Sequence, residues 1–511
     1  MHRRDFFKTG VQAAMAGTAA SVPMVSSAGQ TGSAESSDAA AVLKSYTAQD
    51  HRCRLENIGF CHSKVRTCMR KHLVTNYLPG HCTYNLGEYP CRKPWDPGEY
   101  DEQELDRLKN NGIQLIQVMD EWNDQMGLFG GHKLTALNPE GFRRFVAMVH
   151  KRGMKILAYI SSGYFTRTDP HYNSAWSRPG EYFHSAYWNM ARCSPASPEW
   201  RAYLLPNVVR ILDEFGVDGL YNDWGYVNNA RKSVHQPAKD EVVAFEETPQ
   251  HDGAMADLAQ LIYAEVKRRG GIVKFHCDRT LCPLTGGAKV YDYLWVGEGV
   301  RGLGNIREAT KNHEPYVVPC TQFPYVKLDN DDQPYVHAIP YMQFPLLEAG
   351  RPYTGERAMI PGVEYGPDKD KKGPVDDMTD WYRRNEAKWK YHQAHPDGPH
   401  IYSEWGPVPP SANYRSTHAR WLKQYMPLVE NGTWVWLEIG ESDLFAGPLP
   451  KGAVASAFAN REVYLVLANY GNAAAEITTA DKFVSVDETN VKPAKYWKLP
   501  PESLKILRRI A

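Results

Sequence analysis

The sequence predicts a (β/α)8 barrel followed by a small antiparallel β-sandwich, and three observations support this fold class. Amphipathic helices alternate with short apolar strands, which is the pattern of parallel βαβ units. At least six of those strands end in polar or acidic residues, which favours a closed barrel over an open doubly wound sheet. Past Gly452 the pattern changes to short β segments without a helix of useful length.

The clearest βαβ unit lies in the middle of the chain. Residues 198–214 have apolar side chains at helical spacing, and Gly216 ends that helix. Residues 217–221 then have the apolar, β-branched and aromatic character of a short buried strand. Asn222, Asp223 and Trp224 follow at once, where a barrel places its catalytic side chains. Alternatively, Asp223 has a structural role and caps the loop that follows the strand.

The same unit recurs along the chain. Helices are predicted at 101–110, 139–152 and 252–269, each ended by a glycine. Strands are predicted at 73–78, 113–119, 154–160, 272–275, 290–296 and 316–320. After Pro324 we expect a helix at 335–347, a closing strand at 353–356 and an outer helix at 418–430. The barrel then covers residues 46–450 and the β-sandwich 451–511, with a tight turn at 459–461.

The N-terminus predicts export. Arg3 and Arg4 stand before a mild apolar run, as in a bacterial twin-arginine signal, and the run is too weak for a membrane span. Residues 1–28 are therefore interpreted as a signal peptide and 29–45 as a flexible linker. The expected location is the periplasm or the extracellular space, without stable membrane insertion.

Composition and charge exclude some classes of function. The number of lysines and arginines, 59, equals the number of aspartates and glutamates, so the chain has no net charge that would attract nucleic acid. No Gly-x-Gly-x-x-Gly follows the first strand, and no phosphate-binding Gly-Lys-Ser/Thr loop occurs, so no organic cofactor is expected. The nine cysteines have no zinc-ligand spacing. Five of them fall between Cys53 and Cys91, where one or two disulfides or buried free thiols are equally expected.

The run Gly-Val-Asp-Gly-Leu-Tyr-Asn-Asp-Trp at 216–224 resembles the fourth strand of barrel glycoside hydrolases of the melibiase (α-galactosidase) and α-amylase superfamilies. In the melibiase-like group the nucleophile is an aspartate ending strand four, and the acid/base is a carboxylate at strand six. The resemblance implies that Asp223 is the nucleophile. It implies that Glu298, in Tyr-Leu-Trp-Val-Gly-Glu-Gly, is the acid/base, where the family usually has aspartate.

Cleavage of a glycosidic bond independently requires two carboxylates. One attacks or stabilises the anomeric carbon, and a second with a raised pKa protonates the leaving oxygen. Asp120 and Glu121, at the end of the second strand, are the competing candidates, either gripping sugar hydroxyls or forming ion pairs at the barrel rim. Asp218 and Asp292 are expected to be structural.

Further residues near strand ends are candidates for contact with an oligo- or polysaccharide. Trp122, Trp224 and Trp295 are possible stacking platforms, and each could equally belong to the core. Tyr164, His276 and Asp278 are possible hydrogen-bonding groups for sugar hydroxyls, with His276 and Asp278 alternatively holding a metal. The acidic run 329–332 lacks the glycine and terminal glutamate of an EF-hand, so a solvated turn is expected.

The leading function is therefore exported glycoside hydrolysis without a cofactor or a bound metal. A non-catalytic carbohydrate-binding protein would keep the tryptophans without needing both Asp223 and Glu298. A metal-dependent hydrolase would need several histidines and acidic residues converging on one ion, and the strand ends offer only His276. The sequence does not predict an oligomeric state.

Overall fold

The structure is a computed structural model, and it describes a defined part of the chain. The described residues are 47–74, 77–86, 95–123, 134–167, 169–177, 182–184, 189–223, 249–276, 290–300, 302–310, 317–321, 328–351, 390, 394–395, 410–411, 413–429, 432, 434–487 and 492–510. For residues 120, 182–184, 189–190, 249–252, 296–300, 309–310 and 317–321 the description covers the backbone alone. The predicted signal peptide and linker lie outside the described residues. Residues 48–511 form one compact unit.

Eight parallel strands form the larger sheet. In chain order they are β2 (His81–Asn85), β3 (Leu115–Val118), β4 (Lys155–Ser161), β8 (Gly219–Asp223), β9 (Ile272–His276), β10 (Tyr293–Val300), β11 (Val317–Thr321) and β12 (Leu347–Gly350). Each pairs with the next in chain order from β2 to β11, and β12 pairs with β2. The last strand thus lies beside the first, so the sheet has the strand order of an eight-stranded barrel.

Six described helices lie between parallel strands, and the first four match the predicted glycine-terminated helices. They are α2 (Glu99–Asn110), α3 (Pro139–Lys151), α4 (Pro198–Phe215), α5 (Pro249–Arg268), α6 (Ile306–Thr310) and α7 (Gln333–Ala338). A further helix, α8 (Tyr414–Tyr425), follows β12 and precedes β13. Ser197 caps α4 by accepting a hydrogen bond from the Trp200 N–H, and Gly216 ends the helix in the left-handed conformation. In the described residues, no helix is long and apolar enough to span a membrane.

Two aspartates support the amino ends of the parallel strands. Asp218, before β8, accepts a hydrogen bond from the Ile156 N–H of β4 at 2.9 Å. Asp292, before β10, accepts one from the Val273 N–H of β9 at 2.9 Å. Each carboxylate thus joins its own strand to the preceding one in the chain, and the structural role expected for both aspartates is confirmed.

A seven-stranded antiparallel sheet forms the second layer of the molecule. Its strands are β1 (Cys68–Val74), β13 (Trp434–Ile439), β14 (Ala453–Ala459), β15 (Val463–Asn469), β16 (Ala475–Ser485), β17 (Ala494–Leu499) and β18 (Ser503–Arg509), in the spatial order β1-β13-β14-β15-β18-β16-β17. The sheet therefore recruits two strands from outside the predicted range 451–511. The turn predicted at 459–461 joins β14 to β15.

Alternation along β13 explains how this sheet packs on the rest of the molecule. Trp434 and Trp436 point into the large core shared with the parallel sheet. Val435, Leu437 and Ile439 point to the other face, into a second core that helix α1 (Ala48–Lys64) covers with Cys61. Both faces are buried, so β13 has the nearly continuous apolar sequence of a central strand.

Two predicted elements are wrong. The strand expected at 73–78 as the first of the barrel is instead β1, which ends at Val74 and pairs antiparallel with β13. The helix expected at 335–347 ends early, and its last predicted residue begins β12 at Leu347–Gly350, which pairs with β2. That helix is α7, followed by a short 3-10 turn at Ile339–Tyr341 containing Pro340, which cannot donate a helical hydrogen bond. The closing strand predicted at 353–356 lies outside the described residues.

Of the five cysteines between 53 and 91, the described four are free thiols. They are Cys53, Cys61, Cys68 and Cys82. Cys61 and Cys82 are buried, as one alternative expected, whereas Cys53 is half-buried and Cys68 is exposed. Cys91 lies outside the described residues. Burial raises the pKa of Cys61 to about 12, which makes that thiol a poor nucleophile.

Candidate active site

Asp223 ends β8, and its carboxylate is held from both neighbouring strands. The Tyr159 hydroxyl, from β4, donates to Asp223 Oδ2 at 2.7 Å. His276 Nδ1, at the end of β9, lies 3.1 Å from Asp223 Oδ1. The Asp223 side chain is about one-quarter exposed and the His276 side chain about one-tenth, so the pair lies at the boundary between core and solvent. The register of the three strands, with Ser161 opposite Asp223 and Asp223 opposite His276, produces this arrangement.

Aromatic rings determine the orientation of the His276 imidazole. It stacks on Tyr221 with ring centroids 6.2 Å apart and on Trp295 with centroids 5.8 Å apart. Tyr221 and Trp295 also contact each other, at 5.0 Å between centroids. Because Tyr221 and Asp223 are two residues apart on β8, both point to the interior face of the parallel sheet. The two rings thus lie directly beneath the carboxylate–imidazole pair.

A buried lysine lies in the same interior layer. Lys274, two residues before His276 on β9, is fully buried, and its ammonium lies 4.7 Å from the Trp295 ring centroid and 5.8 Å from that of Tyr221. Cation–π contacts of this kind are strongest where the cation is shielded from water. Burial and the nearby positive charge of Lys274 hold the pKa of His81, on β2, well below its usual value. Lys274 therefore places a positive charge under the floor of the site.

The structure places two of the predicted stacking tryptophans in the core. Trp122 is fully buried, stacks on Phe142 with centroids 4.7 Å apart, and donates from Nε1 to the Tyr159 carbonyl at 2.9 Å. Trp295 is 1% exposed. Neither tryptophan offers a ring face to solvent, so both belong to the core. Burial of the large apolar indole ring stabilises the fold. Trp122 thereby supports the strand that carries Tyr159.

The remaining predicted residues lie on other elements or outside the described residues. Glu121 is fully buried in the 3-10 turn after β3, so it does not reach solvent at the rim. Tyr164 lies in β5 (Tyr164–Thr166), part of a small antiparallel sheet with β6 (Tyr182–His184) and β7 (Asn189–Arg192), and its hydroxyl accepts from Arg192 at 3.2 Å. Trp224 and Asp278 lie outside the described residues, as does the side chain of Asp120.

Glu298 lies within β10, the sixth parallel strand in chain order. The resemblance to the melibiase-like group expects the acid/base on this strand. The pairing of β10 with β11 shifts register between Val296 and Val300, so the backbone around Glu298 is irregular. Its side chain lies outside the description.

No metal centre is present in the part of the chain that the structure describes, where no group of three or more His, Cys, Asp or Glu side chains could hold an ion. In the acidic run 329–332, Asp332 accepts a hydrogen bond from Trp421 Nε1 at 2.6 Å and pairs with Arg420. Asp331 accepts from the Ser411 hydroxyl. The expected turn is thus present, with Asp329 and Asn330 exposed, and Asp331 and Asp332 also anchor neighbouring residues.

Tyr159 and Lys274 are the site residues that the sequence analysis did not single out. Each shares a face of its strand with a polar residue two positions later: Tyr159 with Ser161 and Lys274 with His276. A polar side chain on the inward face of a barrel strand is a usable signal. Its partner, however, depends on the register between strands.

The fold and this site can be compared with known proteins. No family model matches the sequence, and no curated protein matches it. Among solved structures, the α-glucosyl transfer enzyme XgtA is 11% identical, covers 86% of this chain and 100% of its own, and superposes with a TM-score of 0.54. Amy13B of Eubacterium rectale is 11% identical, with coverage of 86% and 97% and a TM-score of 0.50.

These similarities show the fold. The chain shares with XgtA and Amy13B an α/β architecture, with a parallel sheet that carries Asp223 at its carboxyl edge and a C-terminal antiparallel sheet.

Proposed function

We propose that this protein is an exported glycoside hydrolase with a closed (β/α)8 barrel, in which Asp223 is the nucleophile and Glu298 the acid/base. The observation that carries the proposal is the Asp223 carboxylate at the carboxyl end of the fourth parallel strand, held by the Tyr159 hydroxyl and His276 Nδ1. Catalytic side chains of (β/α)8 barrels occupy this edge of the sheet. The hydrogen bond from Tyr159 and the nearby imidazole of His276 favour the carboxylate anion.

The proposed chemistry uses the two carboxylates in different protonation states. Asp223, as the anion, forms a bond to the anomeric carbon or stabilises its positive charge while the glycosidic C–O bond breaks. Glu298, as the acid, gives its proton to the departing oxygen. A carboxyl separation of about 5–5.5 Å corresponds to retention and about 6.5–9.5 Å to inversion, so the anomer of the first product reports which applies.

The substrate is proposed to be an oligo- or polysaccharide. XgtA, an α-glucosyl transfer enzyme, shares the architecture and supports a glycoside as the substrate class. A binding protein without catalysis would need exposed aromatic platforms, and Trp122 and Trp295 are buried. His276, Tyr164, Asp120, Glu121, Trp224 and Asp278 remain proposed substrate contacts, with Glu121 reaching substrate only if its surroundings open.

The test begins with purified protein screened against nitrophenyl glycosides and plant or algal polysaccharides. Asp223→Asn should lower kcat by several orders of magnitude, because covalent capture is lost while the shape is kept. Asp218→Asn is the matched control: it removes an equivalent charge from the amino end of the same strand, and we expect it to alter stability but leave kcat intact. A folded Asp223→Asn enzyme with near wild-type kcat would show that the catalytic centre lies elsewhere.

Glu298→Gln should produce a different kinetic pattern. The variant should fail on substrates with poor leaving groups and keep much of its glycosylation rate on activated aryl glycosides, which need little protonation. In a retaining enzyme, added azide should restore turnover on the activated substrate by replacing the base-assisted water. Equal loss on both substrate types would contradict the acid/base assignment.

Export through the twin-arginine route is proposed from Arg3 and Arg4. Replacing both with lysine keeps the charge and removes the guanidinium pair. The precursor should then accumulate in the cytoplasm, measured by fractionation and immunoblotting, while the wild-type protein is recovered from the periplasm or medium. Unchanged export of the double variant would contradict this assignment.

A further inference from the structure

Three adjacent strands converge on the Asp223 carboxylate. Tyr159 reaches it from β4 and His276 from β9, and β8 lies between them. The Tyr159 hydroxyl donates to Oδ2, whereas His276 Nδ1 lies 3.1 Å from Oδ1 without the alignment of a formed hydrogen bond. A carboxylate anion only accepts hydrogen bonds, so Nδ1 can act on Asp223 only as a donor.

The orientation of His276 is independently constrained. Its ring lies within 14° of the plane of Tyr221 and within 29° of that of Trp295. Rotation of the imidazole would break both stacking contacts as well as the 3.1 Å approach of Nδ1 to Asp223. The ring therefore presents Nδ1 to Asp223 in a single orientation, as the orienting members of catalytic hydrogen-bond chains do.

We propose that Tyr159 and His276 are positioning residues that hold the Asp223 carboxylate in its reactive orientation, with His276 acting through Nδ1. This inference rests on the proposed function, because it assigns the role of two residues in the same reaction. Hydrogen bonds to a charged group contribute about 1.5–3 kcal/mol each, which corresponds to about 10- to 100-fold in rate where the bond matters in the transition state.

The first experiment needs no substrate. The imidazole of His276 is followed by NMR in protein labelled with ¹⁵N-histidine and assigned by its loss in His276→Asn. A donor Nδ1 gives the less common Nδ1–H tautomer. Among the described residues, the charged or titratable groups around this ring include Asp223 and Tyr221 on β8, Tyr159, which donates to Asp223, and Lys274, which lies over the Trp295 ring.

Two variants should change the ¹⁵N chemical shifts of the His276 ring, because each alters the carboxylate beside it. Tyr159→Phe removes a hydrogen-bond donor from Asp223, and Asp223→Asn removes the carboxylate charge. Tyr263→Phe is the control, because Tyr263 donates to Asp292 at 3.2 Å at the other end of the sheet. Unchanged shifts in both site variants, or the Nε2–H tautomer, would overturn the inference.

The second experiment uses the nitrophenyl glycoside that the wild-type protein hydrolyses fastest. Tyr159→Phe should lower kcat about 10- to 100-fold with little change in KM, and the acid limb of its pH profile should move to higher pH. His276→Asn places an amide donor near the Nδ1 position and should retain most of the activity, whereas His276→Leu should not. Thermal unfolding checks that each variant is folded.

The outcomes separate this inference from the proposed function. If His276→Asn is as inactive as His276→Leu, Nε2 has its own chemical role and the positioning assignment is wrong. If Asp223→Asn is inactive while Tyr159→Phe is fully active, the proposed function stands and the inference fails. If no glycoside is hydrolysed, the proposed function fails, and the NMR shifts alone decide whether Tyr159 and His276 hold the carboxylate.

Discussion

Gly219, the first residue of β8, allows that strand to approach β9 closely. Its φ of 155° is disfavoured for residues with a side chain, and a Cβ at this position would lie 1.8 Å from the Ile272 carbonyl oxygen. That distance is far inside van der Waals contact, so the backbone of β9 would have to move. Because Asp223 and His276 end these two strands, the glycine also controls the geometry of the site.

We expect Gly219→Ala to destabilise the fold by more than about 3 kcal/mol, the scale of overpacking combined with backbone strain. Gly216→Ala is the matched control: it too has a positive φ, of 64°, but a Cβ there meets nothing within 4 Å, so it should cost about 1 kcal/mol. Urea unfolding measures both. Equal costs would show that the contact with Ile272 is not what requires glycine at 219.

At the scale of elements, a buried ion pair joins helices and strands around the place where the last parallel strand meets the first. Arg415 of α8 forms a two-pronged pair with Glu104 of α2, and Glu104 also accepts from the Gly350 N–H of β12 at 3.3 Å. Burial acts to raise the pKa of Glu104, but the guanidinium of Arg415 outweighs it and lowers that pKa to about 2. Arg351 and Asp101 form a second pair alongside it, at 2.6 Å.

Arg415→Met should cost about 3–5 kcal/mol of unfolding free energy, because it leaves the Glu104 charge buried without its main partner. Arg107→Ala is the control, since Arg107 also contacts Glu104 but is partly exposed, and it should cost about 1 kcal/mol or less. Chemical denaturation of both variants checks this. Similar losses for the two would mean that Arg415 is not the partner that compensates the buried charge.

The elements themselves were largely predictable from the sequence. The helices at 101–110, 139–152 and 198–214 match α2, α3 and α4 within a few residues, because amphipathic periodicity and terminal glycines are local signals. The sequence did not predict that β1 belongs to the antiparallel sheet. Its assignment to the antiparallel sheet depends on pairing with β13, more than 350 residues later in the chain, and no local pattern encodes that partner.

The candidate site was predictable only in part, for the same reason. Asp223 and His276 follow from their places at strand ends, and these two are brought together. Tyr159 reaches Asp223 from a position two residues before the end of β4, which requires the register of β4 against β8 and the length of a tyrosine side chain. Trp122 and Trp295 look the same in sequence whether they face solvent or core.

Across the whole molecule, buried neutral histidines make stability depend on pH. Burial lowers the pKa of His418 to about 4, and the Arg415 guanidinium acts in the same direction, while the Pro345 carbonyl acts against it. Burial and Arg70 lower the pKa of His72 to about 4. His81, beside Lys274, also has a pKa well below its usual value. These three residues lie in α8, β1 and β2, so both sheets and the helix between them share the effect.

The direction of the pH effect follows from proton linkage. Unfolding returns each of these histidines to its ordinary pKa of 6.5, so below pH 6.5 the unfolded chain binds protons that the folded chain does not. The contribution to stability is complete above pH 6.5 and is lost as the pH falls toward 4. For the fully buried His418 the loss by pH 4 is on the order of 3 kcal/mol.

His418→Phe should therefore flatten the pH dependence of stability. The phenyl ring keeps the edge contacts with Phe344 and Tyr335, at centroid distances of 5.2 and 6.0 Å, and cannot be protonated. Between pH 6.5 and 4, the unfolding free energy of the variant should fall by about 1.4 kcal/mol per pH unit less steeply than that of the wild-type protein. His51→Gln, on the exposed surface of α1, should leave the slope unchanged. Urea unfolding at several pH values measures the slopes, and equal slopes for wild type and His418→Phe would mean that His418 is not kept neutral by the fold.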